Sequence, residues 1–370
     1  MLTWVEVSRE ATEHNLRQFR KLIGPKTLLM PVIKSNAYGH GLFEVAKICD
    51  QSKEADRICV VSLDEAVALI KAGIKKQIVI LSFYELDKAQ ISLAIEHKVA
   101  FPVYRLDQIK FLNKIAKTNK SQALVHLKID IGTTRIGVLP KDALTFAKKI
   151  KQLKNLELEG IYGHFASSED DKTFTNQQQT TFEQVVRELK VSQIQIPIKH
   201  LACSAATTFY KQSHFNAVRL GLSLYGLYPS KPATKIVILK PALSLNTKIV
   251  QVKDIPPNTK IGYGGTYSTK KNTTLAVLPV GYWDGLDRRM GNNAEVLIKG
   301  KRCPVRGRIC MNLTMVDVSV VKNVKAGDTV TIIGQQGNQK ISANDIAAKI
   351  GTINYEVVDR INPLIKRIVK

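Results

Sequence analysis

The chain has 370 residues, of which 44% are hydrophobic, so it can bury the cores of two domains and is neither disordered nor fibrous. Lysine and arginine outnumber aspartate and glutamate by 55 to 31, a net charge of +24. Residues 1–235 (34 against 22) and residues 236–370 (21 against 9) share this excess equally. Because no basic tail stands out, we expect no nucleic-acid partner.

The sequence carries no mark of secretion or of a membrane anchor. No apolar run approaches the roughly 20 residues of a membrane span, and residues 1–7 lack the basic and apolar regions of a signal peptide. The five cysteines are odd in number and contain no Cys-x-x-Cys pair. We therefore expect a cytoplasmic protein that binds neither a membrane nor a metal ion.

From residue 28 onward, short runs rich in valine, isoleucine and leucine alternate with amphipathic segments. Such runs are typical of parallel strands covered on both faces. Eight strands are predicted: Leu28–Lys34, Ile58–Ser62, Ile78–Ser82, Phe101–Tyr104, Leu124–Asp130, Leu158–Phe165, Lys199–Ser204 and Val218–Leu222. A 3.6-residue apolar period predicts helices at Asp64–Ala72, Asp107–Lys117, Lys141–Lys151 and Asn176–Leu189. This alternation predicts an α/β fold, a (β/α)8 TIM-type barrel over residues 1–230, with an open doubly wound sheet as the alternative.

A linker follows the predicted barrel. Two prolines and a serine fall within four residues, Pro229 to Pro232, and the pattern of apolar residues then changes. Alternating segments lie at Ser244–Val252, Leu275–Val280, Ala294–Ile298, Met315–Val320 and Asp328–Ile333. Alternation with a period of two, punctuated by glycine, asparagine and proline, predicts a C-terminal mostly-β domain over residues 236–370.

The residues at the carboxyl ends of the predicted barrel strands are chemically unusual. In TIM barrels those ends build the active site, and the loops after the last two strands often bind phosphate. The residues found there are Lys34, Lys128, Asp130, Arg135, His164, Ser204, Arg219 and Gly221. A lysine inside a barrel requires a lowered pKa or a covalent partner, which is the usual setting of a Schiff-base nucleophile. Lys34, with a hydroxyl and a glycine near the last strands, therefore suggests a phosphate-bearing aldehyde, pyridoxal phosphate.

The strongest motif is a run of ten residues, Val32-Ile33-Lys34-Ser35-Asn36-Ala37-Tyr38-Gly39-His40-Gly41. It resembles the cofactor-lysine signature of the alanine racemases, which combine such a barrel with a C-terminal β domain. Further matches are His126–Asp130, Gly160–Phe165, Ser204–Thr207, Val218–Gly221, Gly262–Thr266, Gly281–Gly285, Gly307–Met311 and Gly351–Glu356. Because these matches keep their order over both predicted domains, they identify the chain as similar to that family.

The resemblance implies a set of cofactor contacts. Lys34 should hold pyridoxal 5'-phosphate covalently, His164 should lie against its ring, and Arg219 should donate to its pyridine nitrogen. The phosphate should be surrounded by Tyr38, Ser204, Gly221, Leu222 and Tyr355.

The resemblance also implies how the substrate is handled. Lys34 and Tyr263, the latter from the partner chain of a homodimer, should be the two catalytic bases. Arg135 should bind the substrate carboxylate and is itself held by Lys128, which the family often carbamylates. Met311 should offer a backbone N–H to the carboxylate, and Tyr282 should line the entrance. The activity implied is racemisation of alanine, which supplies D-alanine for peptidoglycan.

The chemistry of racemisation agrees with these residue types. Inversion needs one base on each face of Cα, because a single base tends to return the proton to the face it came from. A guanidinium stays protonated, so Arg219 donates to the pyridine nitrogen without protonating it. Most pyridoxal enzymes place a carboxylate there, and the decarboxylating relatives of this fold do so, which makes Arg219 the residue that favours a racemase.

Three other functions are weighed. A racemase that prefers serine, or is broad in specificity, would use the same residues. A cofactor carrier without turnover would resemble the barrel alone, so the β domain with Tyr263 and Met311 counts against it. A nucleic-acid binder has only the dispersed positive charge in its favour.

Overall fold

The computed structural model describes all residues, 1–370, and the chain divides into two compact units. The barrel unit consists of Ala11–Ser35 and Val45–Pro241. The β unit consists of Met1–Glu10, Asn36–Glu44 and Ala242–Lys370. The β unit thus takes two segments from within the region predicted as one domain, 1–230. Its first segment joins because Trp4–Val7 pairs with strands formed by the C-terminal residues.

The secondary structure comprises twenty strands, eleven helices and seven short 3-10 helices. The strands are β1 Trp4–Val7, β2 Leu28–Pro31, β3 Ile58–Ser62, β4 Ile78–Phe83, β5 Ala100–Val103, β6 Ala123–Lys128, β7 Leu156–Tyr162, β8 Ile198–His200, β9 Ala217–Leu220, β10 Leu243–Lys248, β11 Gln251–Ile255, β12 Lys260–Ile261, β13 Tyr267–Ser268, β14 Thr273–Leu278, β15 Glu295–Ile298, β16 Lys301–Pro304, β17 Thr314–Asp317, β18 Thr329–Gln336, β19 Gln339–Ile341 and β20 Lys366–Val369. The helices are α1 Arg9–Ile23, α2 Lys34–Tyr38, α3 Leu42–Gln51, α4 Leu63–Lys71, α5 Lys88–Glu96, α6 Leu106–Thr118, α7 Ala143–Lys151, α8 Lys172–Val191, α9 Ser204–Phe209, α10 Ala343–Ile350 and α11 Asn354–Asp359. The 3-10 helices are Pro140–Asp142, Lys211–His214, Leu222–Tyr225, Lys231–Lys235, Tyr263–Gly265, Tyr282–Asp284 and Arg288–Met290.

The eight strands β2 to β9 form one parallel sheet in the order β2-β9-β8-β7-β6-β5-β4-β3. Its two edge strands meet at a parallel bridge between Val32 and Cys59, where the Ile33 N–H donates to the Cys59 carbonyl at 2.9 Å. The sheet is therefore a near-closed barrel, which confirms the predicted TIM-type fold over the open-sheet alternative. All eight predicted strands are present.

The strand ends differ from the prediction in a consistent way. β2 ends at Pro31 rather than Lys34, β7 at Tyr162 rather than Phe165, and β8 at His200 rather than Ser204. At the ends of β2 and β8 the apolar run continues past the last ladder pair, so composition alone extends these strands too far. Lys34, His164 and Ser204 therefore lie just beyond the strands, whereas Lys128 and Arg219 lie within β6 and β9.

The barrel helices begin at side chains that satisfy free backbone N–H groups. The Ser62 hydroxyl accepts from the Glu65 N–H at the start of α4, and the Asp87 and Asp171 carboxylates do the same for α5 and α8. The four predicted helices are present with shifted ends. None of the helices combines the length and the apolar character that crossing a bilayer requires.

After β2 the chain makes one turn with left-handed backbone geometry. Ser35, Asn36, Ala37 and Tyr38 have φ between 52° and 53°, a conformation that costs about 1–2 kcal/mol for each non-glycine residue. Polar contacts hold both ends of this left-handed turn. In the barrel unit the Ser35 N–H donates to the Glu65 carboxylate at 2.6 Å. In the β unit the Asn36 side chain accepts from the Leu42 N–H at 2.9 Å.

Gly39, directly after the left-handed turn, has no room for a side chain. Its φ is +80°, and a Cβ there would lie 1.9 Å from the Val358 carbonyl oxygen. The Arg367 guanidinium donates to the Gly39 carbonyl at 2.9 and 3.2 Å, so the C-terminal strand pins this position.

We expect Gly39→Ala to lower the free energy of unfolding by about 3 kcal/mol, because backbone strain and overpacking add. The matched control is Gly73→Ala, where φ is +79° but the space is open. That control should lose only about 1 kcal/mol, the backbone part alone. Urea unfolding measures both, and equal losses would contradict the steric argument.

The β unit contains a larger sheet in the order β16-β15-β18-β10-β1-β20, with β19 beside β18. A three-stranded sheet, β11-β14-β17, and the pair β12-β13 complete it. The predicted mostly-β domain is confirmed. The helices α10 and α11 were not predicted, and the segment predicted as Ser244–Val252 is split between β10 and β11.

Candidate active site

Cationic side chains converge at the carboxyl ends of the barrel strands. His164 lies just after β7, and its pKa falls well below the usual value because of burial and the charges of Arg219, Arg135, Lys128 and Lys34. Four cations from three strand ends, those of β2, β6 and β9, thus act on one imidazole. Such a site favours an anionic ligand.

Lys128, the last residue of β6, is buried. Its Nζ donates to the Leu81 carbonyl at 3.2 Å and lies 5.3 Å from the centre of the Tyr162 ring. Burial, with the charges of Arg135 and Arg219, lowers its pKa to about 7. Near neutral pH a large fraction of this amine is therefore uncharged and nucleophilic.

Asp130 organises the loop that carries Arg135. One carboxylate oxygen accepts from the N–H groups of Gly132 and Thr134 and from the Thr133 hydroxyl, at 3.0 to 3.2 Å. The other accepts from the Arg135 N–H at 2.9 Å. Burial opposes ionisation of Asp130, but these hydrogen bonds lower its pKa. The ionised carboxylate therefore fixes the backbone of Arg135.

Arg219 in β9 is only 4% exposed, and acceptors hold its guanidinium. Its Nη1 donates to the His200 Nδ1 at 2.7 Å, and its Nη2 approaches the His164 Nδ1 at 3.2 Å. Further bonds run to the backbone carbonyls of Gly163, His200 and Leu201 at 2.8 to 3.0 Å. Burial lowers its pKa, and a guanidinium nevertheless remains charged at neutral pH. It is a fixed donor with no acceptor atom.

Ser204, at the start of α9, meets the backbone that follows β9. Its hydroxyl oxygen accepts from the N–H groups of Gly221 and Ser223 at 3.1 and 3.3 Å, and Leu222 lies between them in the chain. The neighbouring Ser223 hydroxyl is buried and has no hydrogen-bond partner in the protein. Hydroxyls and backbone N–H groups clustered in this way are the donor set that a phosphate group requires. The residues therefore fit the phosphate end of the expected cofactor.

In the β unit the structure brings Tyr38 and Tyr355 together. Their ring centres are 6.1 Å apart, with Tyr38 at the end of the left-handed turn and Tyr355 in α11. Both were predicted to contact the phosphate. The pairing places their side chains in one cluster of the β unit.

The remaining predicted residues of the β unit are exposed on adjoining turns. Tyr263 is 71%, Met311 55% and Tyr282 43% exposed. The Tyr282 N–H donates to the Cys310 carbonyl at 3.0 Å, so the turn that carries Tyr282 lies beside Met311. The turn that carries Tyr263 lies against Arg308, where a Cβ on Gly264 would be 2.9 Å from the guanidinium. The turns that carry Tyr263 and Tyr282 thus contact the segment 308–311, which contains Met311.

Comparison with known proteins decides the family. The model of the alanine racemase N-terminal domain matches residues 7–229, and that of the C-terminal domain matches residues 242–369. The chain belongs to the alanine racemase family. An alanine racemase of Methanococcus maripaludis is 42% identical over 368 residues, covering 99% of this chain and 98% of that protein. One of Halothermothrix orenii is 40% identical, covering 99% and 96%.

Solved structures of alanine racemases agree over the whole chain. That of Clostridium difficile 630 gives a TM-score of 0.92 at 34% identity and covers 100% of this chain and 96% of that one. That of Bacillus anthracis with bound L-Ala-P gives 0.91 at 36% identity, covering 100% and 95%. The C. difficile enzyme is also known in complex with cycloserine. The protein is therefore an amino-acid racemase with the fold expected from its sequence.

The predicted residues divide between the two units. The barrel group contains Lys34, Lys128, Arg135, His164, Ser204, Arg219, Gly221 and Leu222, and the β group contains Tyr38, Tyr263, Tyr282, Met311 and Tyr355. Their individual roles stay predictions. Tyr162 was not predicted as a site residue. Its ring stacks on His200 with centres 4.6 Å apart, and its hydroxyl donates to the Leu81 carbonyl at 2.8 Å. Its only signal was its position inside the Gly160–Phe165 motif.

Proposed function

We propose that this protein interconverts L-alanine and D-alanine with pyridoxal 5'-phosphate and so supplies D-alanine for peptidoglycan. The observation that carries the proposal is the convergence of Lys34, Lys128, Arg135 and Arg219 on His164. Such a cationic pocket suits a phosphorylated, phenolic cofactor and a substrate carboxylate together. The membership of the chain in the alanine racemase family supports the choice of substrate.

The residues of the barrel unit have distinct tasks in this proposal. Lys34 would bind the cofactor covalently, and Ser204 with the N–H groups of Gly221 and Leu222 would hold its phosphate. Tyr38 and Tyr355 would complete that phosphate site. When bound, the cofactor supplies an electron sink that makes the Cα proton of the attached amino acid acidic.

Two bases then move the proton. Lys34 would serve one face of Cα, and Tyr263 of a second copy of the chain would serve the other. Arg135, fixed by Asp130, would bind the substrate carboxylate, with the Met311 N–H of the second copy beside it. Tyr282 would line the entrance.

Arg219 would limit how strongly the cofactor withdraws electrons. Its acceptors already hold the guanidinium in place, and it has no acceptor atom with which to share a proton. A donor that keeps its own proton leaves the pyridine nitrogen unprotonated. The Cα proton is then returned quickly, which suppresses side reactions such as transamination.

The proposal of a homodimer is supported by the surface around segment 308–311. Tyr263, Tyr282 and Met311 are large and exposed, and Trp283 and Leu313 beside them are exposed as well. A cluster of exposed aromatic and apolar side chains of this kind marks a protein–protein contact more often than a free surface.

The direct test is to incubate the purified protein with L-alanine and follow the loss of optical rotation. Parallel reactions with L-serine and L-lysine separate an alanine racemase from a broad-specificity racemase. Retention of optical rotation by cofactor-loaded protein with every substrate would refute the proposal.

Lys128 is expected to carry a carbamate. Its uncharged amine adds to carbon dioxide, forming a nitrogen–carbon bond and releasing one proton. Because its pKa is about 7, the amine is mostly uncharged above that pH and mostly protonated below it.

With 13C-bicarbonate, NMR should show a carbamate signal from Lys128 at about pH 8 that fades by about pH 6. Lys128→Arg is the matched control, since a guanidinium stays charged. An equal signal from that control would rule out Lys128 as the carrier.

A further inference from the structure

A line of hydrogen-bonded side chains crosses the interior of the barrel behind Arg219. The Arg219 Nη1 lies 2.7 Å from the His200 Nδ1, and the His200 Nε2 lies 2.9 Å from the His126 Nδ1. The His126 Nε2 lies 2.8 Å from a Glu159 carboxylate oxygen. Arg57 closes the line with two bonds to the same carboxylate at 2.8 and 2.9 Å. We call Glu159, His126 and His200 the histidine relay.

The chemistry of its ends fixes the direction of every bond. Arg219 can only donate, so the His200 Nδ1 must be the acceptor and carries no proton. The His200 proton then sits on Nε2 and is donated to the His126 Nδ1. The His126 proton likewise sits on Nε2 and is donated to Glu159. The relay therefore has one consistent arrangement, with two neutral imidazoles between a guanidinium and a carboxylate.

The electrostatics of the barrel agree with this arrangement. Burial lowers the pKa of both His126 and His200, which keeps them neutral. Burial opposes ionisation of Glu159, but the bonds from His126 and Arg57 outweigh it and lower its pKa to about 2. The one negative charge of the relay is thus permanent at neutral pH.

The packing leaves the two rings little freedom. Tyr162 stacks on His200 with an angle of 5° between the rings. A Cβ on Gly160 would lie 2.5 Å from the His126 Nδ1, so only glycine at that position leaves space for the imidazole. His126 and His200 are completely buried. A ring that cannot turn keeps each of its nitrogens facing the same partner.

We propose that Glu159 and His126 are positioning residues of the racemase, which act through His200 to hold the Arg219 guanidinium in one orientation and donor state. This inference rests on the proposed function, in which Arg219 faces the cofactor. Without the acceptor at Glu159, His126 gains a choice of tautomer. If the His126 proton moves to Nδ1, His200 must carry its own proton on Nδ1. Two N–H groups, those of His200 and Arg219, then face each other and their hydrogen bond is lost.

The test uses the protein with its cofactor bound and 15N-labelled histidine, of which the chain has seven. In the wild type, NMR should show His126 and His200 neutral with the proton on Nε2. Glu159→Leu should change the tautomer signals of both rings and lower kcat about tenfold, the size of one hydrogen bond to a charged group. The matched control is Gln77→Met, because the Gln77 amide reaches the same carboxylate at 3.4 Å without belonging to the relay. It should leave both the signals and kcat unchanged.

A second variant perturbs the relay and keeps its carboxylate. Gly160→Ala adds one methyl group against the His126 ring and keeps Glu159 with Arg57. It should shift the same two histidine signals and lower kcat. In an Arg219→Lys background, neither change should lower kcat further, because the residue through which the relay acts is gone.

The outcomes separate this inference from the proposed function. Polarimetry on the wild type tests racemisation by itself. If the wild type racemises alanine but Glu159→Leu and Gly160→Ala keep wild-type signals and kcat, the relay has no positioning role. A full further loss of kcat in the Arg219→Lys background would also overturn the inference, because the relay would then act elsewhere.

Discussion

Lys34→Ala is expected to abolish racemisation and to remove the visible absorption band of a lysine-bound cofactor. Lys34 supplies both the covalent attachment and one of the two proposed bases, so the variant loses two functions at once. We expect a loss of kcat of at least about 10³-fold, since a positioned base alone contributes roughly 10²–10⁴-fold. Polarimetry measures the first effect and absorption spectroscopy the second.

The matched control for this variant is Lys53→Ala, at an exposed lysine of the same unit. It should keep both activity and absorbance. Borohydride reduction followed by peptide mapping locates the attachment site directly. A lysine linkage that survives in Lys34→Ala would move the attachment site to another residue.

Mixing two inactive variants, Lys34→Ala and Tyr263→Phe, is expected to restore activity. If each active site combines Lys34 of one chain with Tyr263 of the other, every mixed dimer has one site with both lesions and one with neither. Random exchange makes about half of the dimers mixed, so about a quarter of all sites should be intact. The activity should therefore approach roughly a quarter of the wild-type value.

The control for subunit exchange is native mass spectrometry, which must show the mixed dimers before activity is compared. If both bases came from one chain, every site would retain a lesion and mixing would restore nothing. Proven mixed dimers without activity would thus refute the shared site. Exposure of Tyr263 in the single chain, at 71%, leaves this side chain available to a partner.

The sequence predicted the barrel well because its strands are covered on both faces. β5, for example, is buried at all four residues, and such runs stand out from the lysine-bearing helices around them. β1 was missed because only every second residue of it is buried and its two partners lie far along the chain, at Leu243–Lys248 and Lys366–Val369. A short segment of that kind has no local signal of its own.

In the candidate site, too, some residues could be predicted from the sequence and some contacts could not. Lys34, Ser204 and Arg219 could be predicted because they stand in motifs of consecutive residues. The link between Arg57 and Glu159 could not, since these residues are 102 positions apart and meet only when the barrel closes. Pairing between distant strands depends on register, which composition does not determine.

The place of β1 has a consequence for the order in which the chain folds. β1 lies between β10 and β20, so a strand that is made early needs one that is made much later to complete its sheet. At about 5–20 residues per second, synthesis of the intervening chain takes roughly 20–70 s. During that interval the barrel strands have all been made, while Arg367, which anchors Gly39, has not. We therefore expect the segment around Gly39 to reach its final conformation only after β20 has been made, so this four-residue strand completes the β unit.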